Sequence, residues 1–250
     1  MLKTLVFALL IAGADADLTS LIPRIEHAVV VGSVPALEQH RQALLAELKK
    51  GNGPDVNLVR YTLAYVDWRL YPLLDAATAT KKQGQAYLEE AEKQLVAVIG
   101  AEPDNAEALA LLSTVYGQEI GSSIWKGMVL GPRSSAALEK AMKLAKENPR
   151  VALMAGVGAF FTPKMFGGGI DKAERELRRA EVLFSKEAPN KPWPNWGRID
   201  VLAWLGQVLA SKGDREGARA VYARALTLQP DFGWVRYVLL PALDSQPRKK

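Results

Sequence analysis

The feature that most constrains the fold is a pattern of two amphipathic helices that recurs along the chain. The clearest copy spans residues 199–232. Its marker residues are Leu202, Leu205, Gly206 and Leu209 in the first helix, and Ala218, Tyr222 and Ala225 in the second. Gly213 and Asp214 supply the turn between the helices, and Pro230 ends the unit. Because small residues stand where two helices would cross closely, the pattern predicts a helix–turn–helix repeat.

Three looser copies precede this unit. Two of them cover residues 106–149 and 151–189, and the earliest has its helices at about residues 56–70 and 85–99. The spacing within each copy is that of the tetratricopeptide repeat (TPR). No unit could bury its apolar face alone, so the units must stack on one another. We therefore predict an all-α, TPR-like helical-repeat solenoid of about four helix pairs with capping helices.

The N-terminal residues have the pattern of a secretory signal peptide. Lys3 gives a positive start, residues 5–12 are apolar, and Ala14 and Ala16 form a cleavage site. The apolar run is shorter than the roughly 20 residues that a membrane helix needs, and no later stretch matches that length and apolarity. We predict that residues 1–16 are removed after about Ala16 and that the protein is periplasmic. A buried N-terminal helix is the alternative interpretation.

The rest of the chain is predicted to be one solenoid domain with a cap at each end. Residues 17–54 form the N-terminal cap, residues 55–231 hold the repeats, and residues 232–250 form the C-terminal cap and tail. Ser33 followed by Pro35 is typical of a helix start, so the N-terminal cap should contain one or two helices.

Composition excludes several kinds of site. Basic residues outnumber acidic ones by 32 to 27, but they are spread in short pairs, so no nucleic-acid partner is expected. The chain has no cysteine, which excludes disulfides and thiolate metal sites. Its only histidines, His27 and His40, are too few for a multi-histidine metal site, and each is interpreted as a surface or half-buried residue. No catalytic, cofactor or metal motif is present, so we expect a binding protein and not an enzyme.

Three units carry more residues between their two helices than a plain TPR does. These predicted loops span residues 71–82, 121–133 and 162–169. Insertions in repeat proteins map to one face, which is often the binding face, so the three loops should cluster at one edge of the solenoid. The apolar loop residues are Trp125, Met128, Met165 and Phe166. Two interpretations remain open: these side chains fold back over the repeats, or they contact a partner.

The first helix of each TPR lines the concave face of a solenoid. In the first unit, the concave positions are Leu58, Tyr61, Tyr65, Trp68 and Arg69. In the third unit, with Gly158 at the crossing position, they are Ala152, Ala155, Ala159 and Thr162. One end of the face is thus aromatic with an arginine, and the rest is small. Rigid aromatics and arginine anchor protein partners, although helix packing would also account for the aromatic residues.

The segment between the third and fourth units is rich in proline and tryptophan. It reads Pro192-Trp193-Pro194-Asn195-Trp196. Such a stiff, apolar segment could present a recognition surface, but we predict that it plugs a gap in the solenoid.

Several short strings resemble one family of repeat proteins. The most specific is Pro163-Lys164-Met165-Phe166-Gly167-Gly168-Gly169, preceded by Asn148-Pro149-Arg150 and followed by an alanine-rich helix from Asp171. Over roughly residues 55–230 the chain resembles exported bacterial TPR proteins, among them the T component that accompanies tripartite (TRAP-type) transporters. The resemblance implies a periplasmic protein, in some members oligomeric, that docks on a partner such as a solute-binding protein. Members anchored to lipid have a cysteine that this chain lacks.

Two functions follow as expectations. The first is a periplasmic protein-interaction scaffold, as an accessory to a solute-binding or transport system, with no cofactor and with a homo-oligomer as a further possibility. The alternative is a helical-repeat protein that binds a small ligand or a lipid. The candidate partner-binding or ligand-binding residues are Tyr61, Tyr65, Trp68, Arg69, Trp125, Lys164, Met165 and Phe166.

Overall fold

A computed structural model describes residues 18–51, 55–75, 81–121, 124–188 and 193–245. The predicted signal peptide, residues 1–16, and the tail after residue 245 lie outside the described residues. Within those ranges the chain is helical and contains no strand. None of the helices in these ranges is both long enough and apolar enough to span a bilayer.

The helices form the predicted solenoid of stacked pairs. The N-terminal cap is α1 (Leu18–Val31) and α2 (Val34–Lys49). The four pairs are α3 (Val56–Asp75) with α4 (Lys81–Ala101), α5 (Ala106–Ile120) with α6 (Ile124–Leu144), α7 (Pro149–Phe161) with α8 (Ile170–Lys186), and α9 (Asp200–Ser211) with α10 (Arg215–Leu228). A π-helix (Trp234–Leu239) and α11 (Leu240–Ser245) close the C-terminal end. The all-α, TPR-like fold class is therefore confirmed.

Local sequence explains where several helices begin. Ser33, Asn105, Asn148 and Asp214 each precede a helix, and each side chain accepts a hydrogen bond from a backbone N–H of the first turn. Such a cap satisfies one of the N–H groups that a helix start leaves without an intrahelical partner. The boundaries of the repeats are thus set by short polar residues that lie between apolar runs.

Close helix crossings within the pairs require small residues. A Cβ on Gly206 would lie 2.1 Å from the Cε1 atom of Tyr222, so α9 and α10 can meet only at a glycine. In the third unit the equivalent position is Gly156, where a Cβ would lie 2.6 Å from the Cγ atom of Leu177. The expectation that Gly158 is the crossing residue is wrong, because a Cβ there would meet only Leu138 at 3.7 Å. The register of this unit therefore shifts by two residues.

Two of the three predicted loops are largely helical. Helix α3 continues to Asp75, and α6 begins at Ile124 with Pro132 inside it. Leu130 is buried in the core, and Ser134 donates its hydroxyl to the carbonyl of Ser113 on α5 at 2.8 Å. This packing outweighs the tendency of glycine and proline to end a helix. Among the described residues of the three segments, the expected loop is seen at 162–169, and it contains a short 3-10 helix (Lys164–Phe166). Residues 76–80 and 122–123 lie outside the described residues.

The two ends of the solenoid approach one another. A Cβ on Gly233, just before the π-helix, would lie 2.8 Å from the carbonyl oxygen of Val31 at the end of α1. Across the concave face, an Arg69 Nη atom on α3 lies 2.5 Å from a carboxylate oxygen of Asp200 on α9. The first and last repeats are thus in contact, and the concave face is narrow.

Candidate functional site

An aromatic cluster fills the concave side of the first repeat. The ring of Tyr65 lies 6.0 Å from that of Trp68, 5.2 Å from that of Trp193 and 5.1 Å from that of Trp196. Trp196 is only 2% exposed, and its indole N–H donates to the Tyr61 hydroxyl at 3.0 Å. The predicted plug is therefore confirmed for residues 193–196, while Pro192 lies outside the described residues.

A buried polar network adjoins this cluster and joins α1, α3 and α9. Arg69, which pairs with Asp200, also donates to the Tyr65 hydroxyl at 3.3 Å. That hydroxyl in turn donates to a carboxylate oxygen of Glu26 on α1 at 3.2 Å. Burial raises the pKa of Glu26 to about 7; Asp200 also raises it, and Arg69 opposes the rise. The N-terminal cap thus contacts the repeats through the side chain of Glu26. Its carboxyl group stays protonated at pH values well above its ordinary pKa.

A second network centres on Arg150, which is 1% exposed. Its Nε atom donates to Glu107 at 3.0 Å, one Nη atom donates to the backbone carbonyl of Trp196 at 2.9 Å, and the fork also pairs with Glu187. The guanidinium therefore holds residues 193–196 in place through the backbone carbonyl of Trp196. It also neutralises two carboxylates that would otherwise be costly to bury. An arginine can do this because its planar fork offers five donors.

Arg150 is not among the predicted site residues. The register that took Gly158 as the crossing residue placed Ala152 at the inner position where the structure has Arg150. The signal was present, because Asn148 and Pro149 are a helix cap and a first-turn proline. If the third repeat is aligned to begin at these two residues, the pattern predicts that Arg150 faces the concave side.

Four of the predicted site residues lie in the concave face but are not available to a partner. Tyr61, Tyr65 and Trp68 are buried, and the side chain of Arg69 is paired with Asp200. Two interpretations of the aromatic residues were open, anchoring of a partner and helix packing, and the structure favours packing because Trp193 and Trp196 lie against Tyr65. A ligand could not reach these aromatic rings without displacing Trp193 and Trp196.

The other four predicted site residues are exposed. Trp125 is 77% exposed, Met165 82% and Phe166 72%, and Lys164 beside them is also exposed. Trp125 belongs to the first turn of α6 rather than to a loop. These fractions contradict the interpretation that the apolar side chains fold back over the repeats.

The exposed residues share one edge of the solenoid. Met128 and Val129 follow Trp125 at helical spacing and are exposed as well, so the three lie on one face of α6. Residues 164–166 lie between the helices of the next unit, and turns of this kind line the same edge in a stacked array. We name this surface the apolar edge; it comprises Trp125, Met128, Val129, Met165 and Phe166.

A separate cavity of about 490 Å³ lies between α1 and α2. It is lined by Pro23, Arg24, His27, Ala28, Val31, Ser33, Ala36 and His40. His27 is exposed and His40 half-buried, as predicted for each residue separately. Their meeting in one cavity was not predicted. Among the described residues, no group of three or more His, Cys, Asp or Glu side chains could hold a metal ion.

Comparison with known proteins supports the fold. No protein-family model matches the chain, and no curated protein matches it in sequence. A thermophilic TPR protein of Thermus thermophilus is similar in structure, with a TM-score of 0.62 at 17% identity over 89% of this chain and 98% of that one. The HusA haemophore of Porphyromonas gingivalis is also similar, with a TM-score of 0.53 at 20% identity over 77% of this chain and 94% of that one.

Proposed function

We propose that this chain is a protein-interaction scaffold that docks on its partner through the apolar edge rather than through the concave face. The observation that carries the proposal is the exposure of Trp125, Met165 and Phe166 on one edge. Exposed apolar side chains that are gathered on one edge of a protein mark interaction sites, and tryptophan is among the residues that contribute most binding energy at interfaces.

The filled concave face supports the choice of the edge. A TPR array that binds in its groove needs that groove open, whereas here Trp196 and the Arg150 network occupy one end of it. A partner entering there would have to displace a buried indole and break buried ion pairs. The edge is reached without any such rearrangement.

We further propose that the protein works in the periplasm as an accessory to a solute-binding or transport system. Two features of the sequence support this: the signal-peptide pattern of residues 1–16, and the string from Pro163 to Gly169 that resembles the transporter-associated TPR family. That string supplies Lys164, Met165 and Phe166, which are the exposed part of the third unit. The family-like motif and the apolar edge therefore coincide.

The edge is tested by comparing two variants in capture from a periplasmic extract. In the double variant Trp125→Ser/Phe166→Ser the edge loses its largest side chains. In the control Val96→Ser/Val182→Ser, two exposed apolar residues change on α4 and α8, away from the edge. We expect a protein that is retained by the wild type and the control and lost from the edge variant. Binding of that protein, once purified, should weaken at least about 30-fold in the edge variant, as for loss of an interface anchor.

Equal retention by the edge variant would contradict the proposal. A homo-oligomer is a distinct outcome of the same experiment, since the partner captured would then be the chain itself. It would show as a mass that rises with protein concentration in the wild type and control but not in the edge variant.

Binding of a small ligand is a second candidate function, and one observation favours it. The cavity between α1 and α2 is open, has mostly apolar walls and contains both histidines of the chain. Haem needs an apolar wall and is commonly held by imidazole. One of the similar structures is a haemophore, although that likeness supports the fold alone. Saturable binding of one ferric haem per chain would support this candidate, and purely non-saturable uptake would remove it.

A further inference from the structure

The two histidines come together from different helices. His27 lies on α1 and His40 on α2, and both line the same cavity. The helices are joined by a tight turn in which Gly32 has a φ of 71° and Ser33 caps α2. Gly32 favours this left-handed conformation, which lets α2 fold back along α1. The turn thereby brings to one place the only imidazoles in the sequence.

We infer that His27 and His40 would hold the iron of a haem bound in this cavity, and that Arg24, which also lines it, would pair with a carboxylate of that ligand. The inference rests on the second candidate function, haem binding, and adds to it the site and the residues that hold the ligand. It is independent of docking through the apolar edge, which lies on other helices.

The ligand count favours a metalloporphyrin over a bare metal ion. A zinc ion in a structural site takes four protein ligands, and in a catalytic site three. The described residues offer no cluster of three His, Cys, Asp or Glu, so the cavity could supply only its two imidazoles. A porphyrin brings four nitrogen ligands of its own and leaves only the axial positions for the protein. Two histidines are sufficient for that purpose.

The walls of the cavity suit the flat apolar macrocycle. Pro23, Ala28, Val31 and Ala36 provide small apolar surfaces around the histidines. Burying a large apolar ligand against such side chains is favourable in proportion to the area removed from water. Small residues also leave room, which matches a cavity of about 490 Å³.

Arg24 provides the charge that the carboxylates of a haem require. It lines the cavity and lies on the exposed side of α1, one turn before His27. Its Nε atom donates to the backbone carbonyl of Ser20 at 3.1 Å, which steadies the side chain along the helix. Hydrogen bonds from a guanidinium to a carboxylate are among the strongest that proteins form.

The test is a titration of the purified full-length chain with ferric haem, followed by absorption spectroscopy. We expect saturation at one haem per chain with the low-spin spectrum of histidine-ligated iron. His27→Ala and His40→Ala should each convert the spectrum to a high-spin form. Each should also weaken haem binding more than about tenfold, since even loss of a residue that only supports a ligand costs about that much.

Matched controls separate ligation from adsorption. Gln39→Ala changes an exposed neighbour of His40 that does not line the cavity and should leave the spectrum unchanged. Iron-free protoporphyrin should bind equally well to the wild type and to both histidine variants, and less well to Arg24→Ala. Far-ultraviolet circular dichroism verifies that the variants keep their helices.

The outcomes are distinguishable. If haem binds saturably but neither histidine variant changes the spectrum or the affinity, the assignment of the ligands is wrong while haem binding stands. If the wild type shows no saturable binding, haem binding and the assignment are both wrong.

Discussion

The concave face and the apolar edge both contain tryptophan, but the side chain is buried in the concave face and exposed on the edge. Trp196 in the concave face is 2% exposed, and Trp125 on the edge is 77% exposed. Trp196 meets rings from α3 and donates its N–H to Tyr61, whereas no aromatic ring lies against Trp125 in the described residues. The difference shows that the residue type alone does not decide whether a tryptophan is buried. Whether another segment covers it depends on the tertiary fold.

Substitutions of the two tryptophans should differ most in their effect on the free energy of unfolding. Trp196→Ala should reduce the free energy of unfolding by about 3–5 kcal/mol, because it empties a packed site and leaves the Tyr61 hydroxyl without its donor. Trp125→Ala should change it by no more than about 0.5 kcal/mol, since an exposed side chain loses little on truncation. Chemical denaturation measures both. Equal effects would show that the two regions do not differ as described.

Two arginines give the same contrast for charged residues, since one forms buried ion pairs and the other an exposed one. Arg150→Ala removes the buried cation that pairs with Glu107 and Glu187, and removing one member of a buried ion pair costs about 3–5 kcal/mol. Arg178 on α8 forms an exposed pair with Glu174, so Arg178→Ala should cost less than about 1 kcal/mol. The same denaturation experiment applies. A small loss for Arg150→Ala would mean that the network contributes little to holding the plug.

Glu26 on the concave side makes the stability of the protein depend on pH. Its pKa is about 7 in the folded chain against 4.5 ordinarily, so the folded state holds a proton that the unfolded state has lost between these values. The free energy of unfolding should therefore fall as the pH rises from 4.5 to 7, by about 2–3 kcal/mol from this group. Glu26→Gln should remove this contribution and leave the one that comes from Asp67, whose pKa burial also raises to about 7.

A matched control for this prediction is Glu89→Gln, which changes an exposed carboxyl group on α4. Its stability should follow the wild-type dependence on pH. If Glu26→Gln kept the full slope, the titration would belong to another group.

Two glycines give the smallest contrast. Gly206→Ala places a methyl group into the ring of Tyr222 and should cost about 1–3 kcal/mol, as overpacking does. Gly117 lies inside α5, and a Cβ added there would meet no neighbouring atom within 4 Å. Gly117→Ala should therefore stabilise the protein by about 0.5–1 kcal/mol. Thermal denaturation distinguishes the expected loss of stability in Gly206→Ala from the expected gain in Gly117→Ala. Destabilisation by Gly117→Ala would indicate that the space beside it is occupied.

Local signals in the sequence predicted the repeats well. The helix start at Ser33, the turn at Asp214 and the close crossing at Gly206 all depend on residues near one another in the chain. Such signals are set by backbone sterics and hydrogen bonding, which act over a few residues. The fold class and the order of the helix pairs could be deduced from them.

Long-range contacts account for what the sequence did not predict. Pro132 suggested a loop, yet the packing of Leu130 into the core keeps α6 helical through it. Arg150 was placed outside the concave face by an error of two residues in register, and nothing local reveals its contacts with Glu187 and the carbonyl of Trp196. The cavity that holds His27 and His40 likewise exists only once α1 and α2 pack together.

The contact between the two ends of the solenoid changes how the molecule should unfold. An open repeat array behaves as a row of neighbours, can lose a terminal unit without much effect on the rest, and forms mostly short-range contacts. Here Arg69 and Asp200 meet across 131 residues of sequence, and Val31 meets Gly233. Contacts between residues so far apart slow folding, because a long loop must close before they can form. Because these contacts join the first helices to the last, neither end should unfold without the other. The chain should therefore unfold as a single cooperative unit.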